Sequence, residues 1–153
     1  MFERFTKPAR AAVSGAAAIA RERGATNVEA EHLLLAVTRG DSAGAHALKL
    51  CGLDFDALDA ALVAENERSL AAVGVTAGPP EFSPFVESPR LATSAKAALA
   101  QALRESIARQ DRHIGDLHLA LAVLRPERGT VARALAIAGF DREALRTALG
   151  YAT

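Results

Sequence analysis

The segment VEAEHLLLAV, Val28 to Val37, returns as IGDLHLALAV, Ile114 to Val123. A repeat of this kind constrains the fold before anything else does, because each copy is a supersecondary unit that buries its apolar face against a neighbour. The correspondence runs well beyond the motif. At one constant offset Ala9 and Arg10 meet Ala95 and Lys96, Val13 meets Leu99, and His32-Leu33 meet His118-Leu119. One residue is then gained, after which Leu48, Gly52, Asp54, Leu58 and Leu62 meet Leu135, Gly139, Asp141, Leu145 and Leu149. The expected organisation is a single unit over 1–153, with repeat one at 1–72, a linker at 73–89 and repeat two at 90–150.

Each repeat reads as four helices. The first covers Thr6 to Arg23, with Thr6 as cap, Pro8 in the first turn and Gly24 as stop; its counterpart covers Thr93 to Gln110. Their buried stripes are assigned to Val13, Ala16, Ala17 and Ala20, and to Leu99, Ala102, Leu103 and Ser106. The duplicated motif forms the second helix, starting near Ala30 and Asp116 and ending at Gly40 and before Pro126. The third covers Ala43 to Leu50 and Thr130 to Ala138, closed by Gly52 and Gly139. The fourth follows Asp54 or Asp141 as cap and turns Leu58 and Leu62, or Leu145 and Leu149, inward. Apolar content comes mostly from alanine and leucine, with one tyrosine and no tryptophan, which favours close-packed helices over a sheet. The fold class is therefore all-α: eight helices in two pseudo-symmetric quartets. Between the repeats Pro79, Pro80, Pro84 and Pro89 break every helical period.

Charge narrows the function. Lysine and arginine balance aspartate and glutamate at 18 each, so no global field recruits nucleic acid or an anionic membrane. The start MFERFTKPAR lacks the apolar core of a signal peptide, and no apolar run approaches a membrane span. A cytoplasmic protein is expected. The single cysteine, Cys51, has no intramolecular disulfide partner and reads as a small core residue. His32 and His118 lie in separate repeats without a convergent ligand set, so they are read as structural groups bonding nearby backbone rather than as metal ligands. His46 and His113 are assigned no partner. No nucleophile, base and orienter appear together and no G-x-S-x-G motif is present, so neither enzyme activity nor a cofactor or metal is expected.

The start MFERFT, the two motif copies around EHLLLAV and LHLALAV, and the duplicated four-helix plan together resemble the N-terminal domain of Clp-type AAA+ unfoldases, nearest the ClpC branch. The resemblance covers essentially the whole chain. The family's second helix opens Gly-Thr-Glu-His; here the copies read Glu29-Ala30-Glu31-His32 and Gly115-Asp116-Leu117-His118. A Walker A loop, needed to cradle nucleotide phosphates, is absent. Taken as a whole gene product, the chain is expected to lack ATP-driven unfolding.

The resemblance implies a non-enzymatic binding module for substrates, adaptors or phosphoarginine-marked proteins that modulates proteolysis by a ClpC–ClpP complex. Glu31 matches the family's glutamate, which pairs with the guanidinium while a helix N-terminus offers N–H groups to the phosphate. Leu117 in the second copy neither accepts a hydrogen bond nor carries charge, so that half-site is expected to be impaired; Ala30 lacks the family threonine hydroxyl that would cap the first. A second surface, which in the family receives cyclomarin-type cyclic-peptide antibiotics and overlaps adaptor-binding surface, is matched by Phe2, Arg10 and Val13 in repeat one and Lys96 in repeat two. Leu91 stands where the family often has an aromatic. The alternative function is then a decoy that sequesters such antibiotics and protects the unfoldase.

Overall fold

Thr6 opens the first helix: its Oγ1 accepts the Ala9 N–H at 3.2 Å, and Pro8 occupies a first-turn position where no helical N–H is missed. In this computed structural model, which describes residues 2–76 and 89–152, helices follow as the caps dictate: α1 (Lys7–Glu22), α2 (Ala30–Arg39), α3 (Ala43–Leu50), α4 (Phe55–Ala72), α5 (Thr93–Ala108), α6 (Asp116–Leu124), α7 (Thr130–Ala138) and α8 (Arg142–Gly150). Asp54 caps α4 through the Ala57 N–H at 2.8 Å, and Asp141 caps α8 through the Glu143 and Ala144 N–H groups at 3.0 and 3.3 Å. Gly52 and Gly139 follow α3 and α7 with φ of +87° and +82°, a left-handed stop that a side chain would strain. Most of the proposed linker, residues 77–88, lies outside the described residues.

The chain does not stack one finished quartet on another. Helix α4 of repeat one packs on α7 of repeat two, and α3 packs on α8. The central helices α2 and α6 touch directly, and each is buried around its circumference, from His32 to Val37 and from His118 to Leu124. That all-round burial is what the unbroken apolar motifs encode. Two short backbone exchanges mirror the swap. Strand β1 (Asn27–Val28) pairs in parallel with β2 (Arg90–Leu91), and Phe5 bridges Ile114, the repeat equivalents of Leu91 and Val28. Neither pairing was legible in the sequence, since two-residue strands carry no periodicity.

Several expected burials are displaced. On α1 the inward face is Ala9, Ala12, Ala16, Ile19 and Ala20, while Val13 and Ala17 sit half-buried at its edge. On α5 it is Ala95, Ala98, Leu99, Ala102, Glu105 and Ser106, and Leu103 points outward. Helices so rich in alanine give little polar contrast, so the sequence pattern leaves the buried face undefined by one position. Cys51, expected in the core, is exposed because it is the residue on which α3 ends. His46, assigned no partner, contacts Asp41 at 3.1 Å. No helix among the described residues is long and apolar enough to cross a membrane.

Polar ties lock the swapped helices. Glu65 of α4, only 5 % exposed, receives Arg133 Nε of α7 at 3.0 Å and the Ser69 hydroxyl at 2.6 Å. Removing one partner leaves a buried carboxylate poorly compensated. Because Arg133 is itself partly solvated, Arg133→Ala is predicted to destabilise the protein by about 1–2 kcal/mol in urea unfolding, less than a fully buried pair would lose. In the Glu65→Gln background the same substitution is predicted to cost clearly less.

Candidate functional site

The start of α2 is assembled from the motif itself. Glu29 is the capping residue in extended conformation, and His32, in the first turn, turns its Nδ1 back to accept the Glu29 N–H at 2.8 Å. A ring nitrogen that accepts from an amide carries no proton, so the neutral ring must be the Nε2–H tautomer. His118 repeats the device: Nδ1 accepts the Gly115 N–H at 2.8 Å and Nε2–H donates to Asp111 at 2.8 Å. Both motif histidines bond nearby backbone, as expected from the sequence. Burial, reinforced by Arg23, pushes the His32 pKa down to about 4. The hydrogen bond from His118 holds the Asp111 carboxyl below its usual range.

Repeat two completes this helix start. The pairing of β1 with β2, extended by the Ala92 N–H on the Val28 carbonyl at 2.9 Å, brings Ser94 over α2. There Ser94 Oγ accepts the Ala30 N–H at 2.9 Å and its hydroxyl donates to the Glu29 carboxylate. Ala30 is thus the first helical residue rather than the cap, and the hydroxyl that its side chain lacks arrives from α5 instead. The His32 N–H bonds the Glu29 carbonyl at 3.1 Å. The amides of Glu29, Ala30 and His32 are thus engaged within the protein.

Glu31 is half-buried and has no ion pair among the described residues. Burial holds its carboxyl above the usual carboxylate range, with the Glu29 charge acting in the same direction. It opens onto a cleft of about 720 Å³ between the start of α2, the flank of α5 and the turn from α6 into α7. Ala97, Ala98, Ala122, Val123 and Val131 line it, and Arg104, Arg125 and Arg128 stand at its rim. On its other side Glu31 borders a hollow of about 520 Å³ with Arg23, Asn27, Leu62 and Asn66.

In repeat two the equivalent Leu117 is half-buried against the core, and its N–H is taken by Asp116 Oδ1 at 3.1 Å. The hollow around it, about 460 Å³, holds Arg109, Asp111, Arg112 and Asp116 but no counterpart of the Glu31 carboxylate. Of the other residues singled out in the sequence, Arg10 and Lys96 are exposed, and Val13 and Leu91 are half-buried against the core. The Phe2 side chain lies outside the described residues. None of the four described, Arg10, Val13, Leu91 and Lys96, lines the cleft with Glu31. The sequence reading missed Ser94, Arg104 and Arg128, because the repeat places Pro8, Ala18 and Asp41 at their equivalents and so gives no signal there. Among the described residues no group of three or more histidine, cysteine and acidic side chains is placed to hold a metal ion.

Two interleaved four-helix repeats, each with a histidine-capped central helix, define an α-helical double-repeat domain. The chain belongs to the Clp repeat (R) N-terminal domain family, whose profile matches residues 4–87 and 90–153. Among solved structures it is similar to the N-terminal domain of the caseinolytic protease associated chaperone ClpD from Arabidopsis thaliana, at 21% identity and a TM-score of 0.69 over 97% of this chain and 94% of that one. It is similar to the Hsp104 N-terminal domain from Candida albicans, at 18% identity and a TM-score of 0.71 over 97% and 91% of the two chains. The N-terminal domain of the ClpV1 ATPase from E. coli gives 22% identity and a TM-score of 0.60 over 95% and 83%. No curated protein sequence matches the chain.

The His32 cap sets a pH dependence. His32 has a folded pKa below its ordinary 6.5, so the unfolded chain binds the extra proton first, and stability present above pH 6.5 is lost as pH falls toward 4. The loss amounts to about 3 kcal/mol at most. Glu31, raised rather than lowered, acts in the opposite sense, since its contribution is present at low pH and lost as pH rises. His32→Gln, whose amide oxygen can accept the same N–H without titrating, is predicted to flatten this part of the stability profile in chemical denaturation between pH 6.5 and 4. An unchanged slope in the variant would assign the dependence to other groups.

Proposed function

We propose that this chain is a non-enzymatic, cytoplasmic binding module for protein segments, taking substrates, adaptors or phosphoarginine-marked proteins of the Clp system and modulating proteolysis by a ClpC–ClpP complex. The observation that carries this reading is Glu31: a half-buried carboxylate without a cationic partner among the described residues, at the mouth of a cleft large enough for side chains of another protein. A guanidinium placed there gains a charge-assisted pair with a group already partly stripped of water. The anionic half of a phosphoarginine is met differently from the family-based expectation. The Ala30 and His32 amides at the start of α2 are engaged internally, so the phosphate faces the rim arginines and the uncapped first turn of α7 across the cleft.

A single site follows from the two motif copies, because Leu117 offers nothing to a guanidinium. Calorimetric titration with phosphoarginine is predicted to give one site per chain, weakened at least about tenfold by Glu31→Gln and unaffected by Leu117→Ala. Absence of any binding heat for the wild type would remove the marked-protein reading.

A second reading draws on Arg10 and Lys96. They are equivalent by the repeat, both exposed, and their side chains make no hydrogen bond or ion pair among the described residues. With Phe2, Val13 and Leu91 they suit the decoy function, sequestration of a cyclomarin-type peptide. Tight binding of such a peptide that fails in Phe2→Ala and Arg10→Ala, together with silence toward phosphoarginine, would move the assignment to the decoy.

A further inference from the structure

The duplication built the cleft twice. A second groove of about 410 Å³ is lined by Pro8, Ala11, Ala12, Ala36, Val37 and Arg39, the repeat equivalents of Ser94, Ala97, Ala98, Ala122, Val123 and Arg125 in the larger cleft. The floors match, apolar and small in both. Their rims do not. Arg104 and Arg128 of the larger cleft correspond to Ala18 and Asp41 in repeat one. The cation common to both is tied down in each: Arg125 pairs with Glu105 at 3.2 Å, while Arg39 pairs with Glu22 at 3.1 Å and lies 4.3 Å over the Phe55 ring. Arg104 and Arg128 are exposed and have no carboxylate partner among the described residues; Arg104 reaches only the Gln101 amide oxygen, at 3.2 Å.

From this comparison we infer that the larger cleft docks an acidic, apolar segment of a partner protein, its apolar side chains on the alanine and valine floor and its carboxylates on Arg104 and Arg128. This rests on the binding-module reading above and names the partner's chemistry. The floor by itself does not discriminate, since an uncharged apolar segment fits both grooves. Two uncommitted guanidinium groups on one rim, and an aspartate in the equivalent place on the other, set the preference by charge, and Arg is the residue suited to pairing planar carboxylates. Small floor residues leave the volume for the partner's side chains to occupy. Both linings hold two carboxylates, Glu29 and Glu31 in the larger cleft and Asp41 and Asp116 in the smaller. Only the larger adds two arginines free of carboxylate partners among the described residues, so the segment's carboxylates lie toward α5 and the α6–α7 turn, away from Glu31.

The test uses a short fluorescein-labelled peptide alternating leucine and glutamate, and its twin with glutamine for glutamate, followed by anisotropy on the full chain. The glutamate peptide is expected to bind one site about tenfold more tightly than its twin, and Arg104→Ala with Arg128→Ala to reduce it to the twin's affinity. Ala18→Arg with Asp41→Arg, which copies the basic rim onto the smaller groove, is expected to add a second site. One measurement needs no variant: salt should weaken the glutamate peptide and leave the twin unchanged. Equal affinity for both peptides, or indifference to the Arg104 and Arg128 substitutions, overturns the acidic-segment assignment and leaves the binding module standing. Binding of phosphoarginine without either peptide does the same, whereas silence toward all three ligands defeats both.

Discussion

Everything in this fold depends on an exchange: neither repeat closes its own core. Helix α4 lies on α7 and α3 on α8, while Phe5 bridges Ile114 and Leu91 pairs with Val28, so each quartet borrows from the other at both ends. The apolar surface of α2 and α6 makes this necessary. Helices buried all round need neighbours on every side, and a four-helix repeat cannot surround its own central helix. A fully buried leucine such as Leu33, Leu119 or Leu124 contributes on the order of 1.5–3 kcal/mol, and here that gain is available only once both repeats are in place. Two-state loss of the whole unit, rather than sequential loss of repeats, is the physical corollary.

The candidate site inherits the exchange. Glu31 stands where it does because α2 starts at Ala30, and α2 starts there because His32 bonds the Glu29 amide and Ser94 of the other repeat bonds the Ala30 amide. The carboxylate is thus held by a helix end fixed through the Glu29, Ala30 and His32 amides. Its partial burial is a consequence of the cleft walls, and those walls are mostly repeat two.

Divergence between the repeats follows a physical division. Buried core positions and some helix ends keep their chemistry, as His32 and His118, Leu33 and Leu119, or Asp54 and Asp141 show. Several positions at the rims of the clefts do not. Glu31 against Leu117, Arg104 against Ala18 and Arg128 against Asp41 change charge without disturbing a buried contact, so two similar scaffolds present different surfaces. Exposed charges contribute little to stability, which leaves them open to be set by a partner.

The sequence by itself determined the duplication, the number and ends of the helices, and the roles of the motif histidines. These are local matters: Thr6, Asp54 and Asp141 cap from within a turn of their helices, Gly52 and Gly139 stop them, and His32 and His118 reach amides only three residues away. It also marks Glu31 and Leu117 as the point where the two motifs part. On helical faces made almost wholly of alanine the pattern puts the edge one position off, burying Val13, Ala17 and Leu103 and leaving Ala9, Ala12 and Ile19 out of the buried face. Cys51 was misplaced for a related reason, since an apolar run reads as core even where a helix ends in solvent. Only the tertiary structure decided the swap of helices, the arrival of Ser94 over α2 and the gathering of Arg104 and Arg128 beside Glu31, because each joins residues far apart in the chain that no periodicity connects.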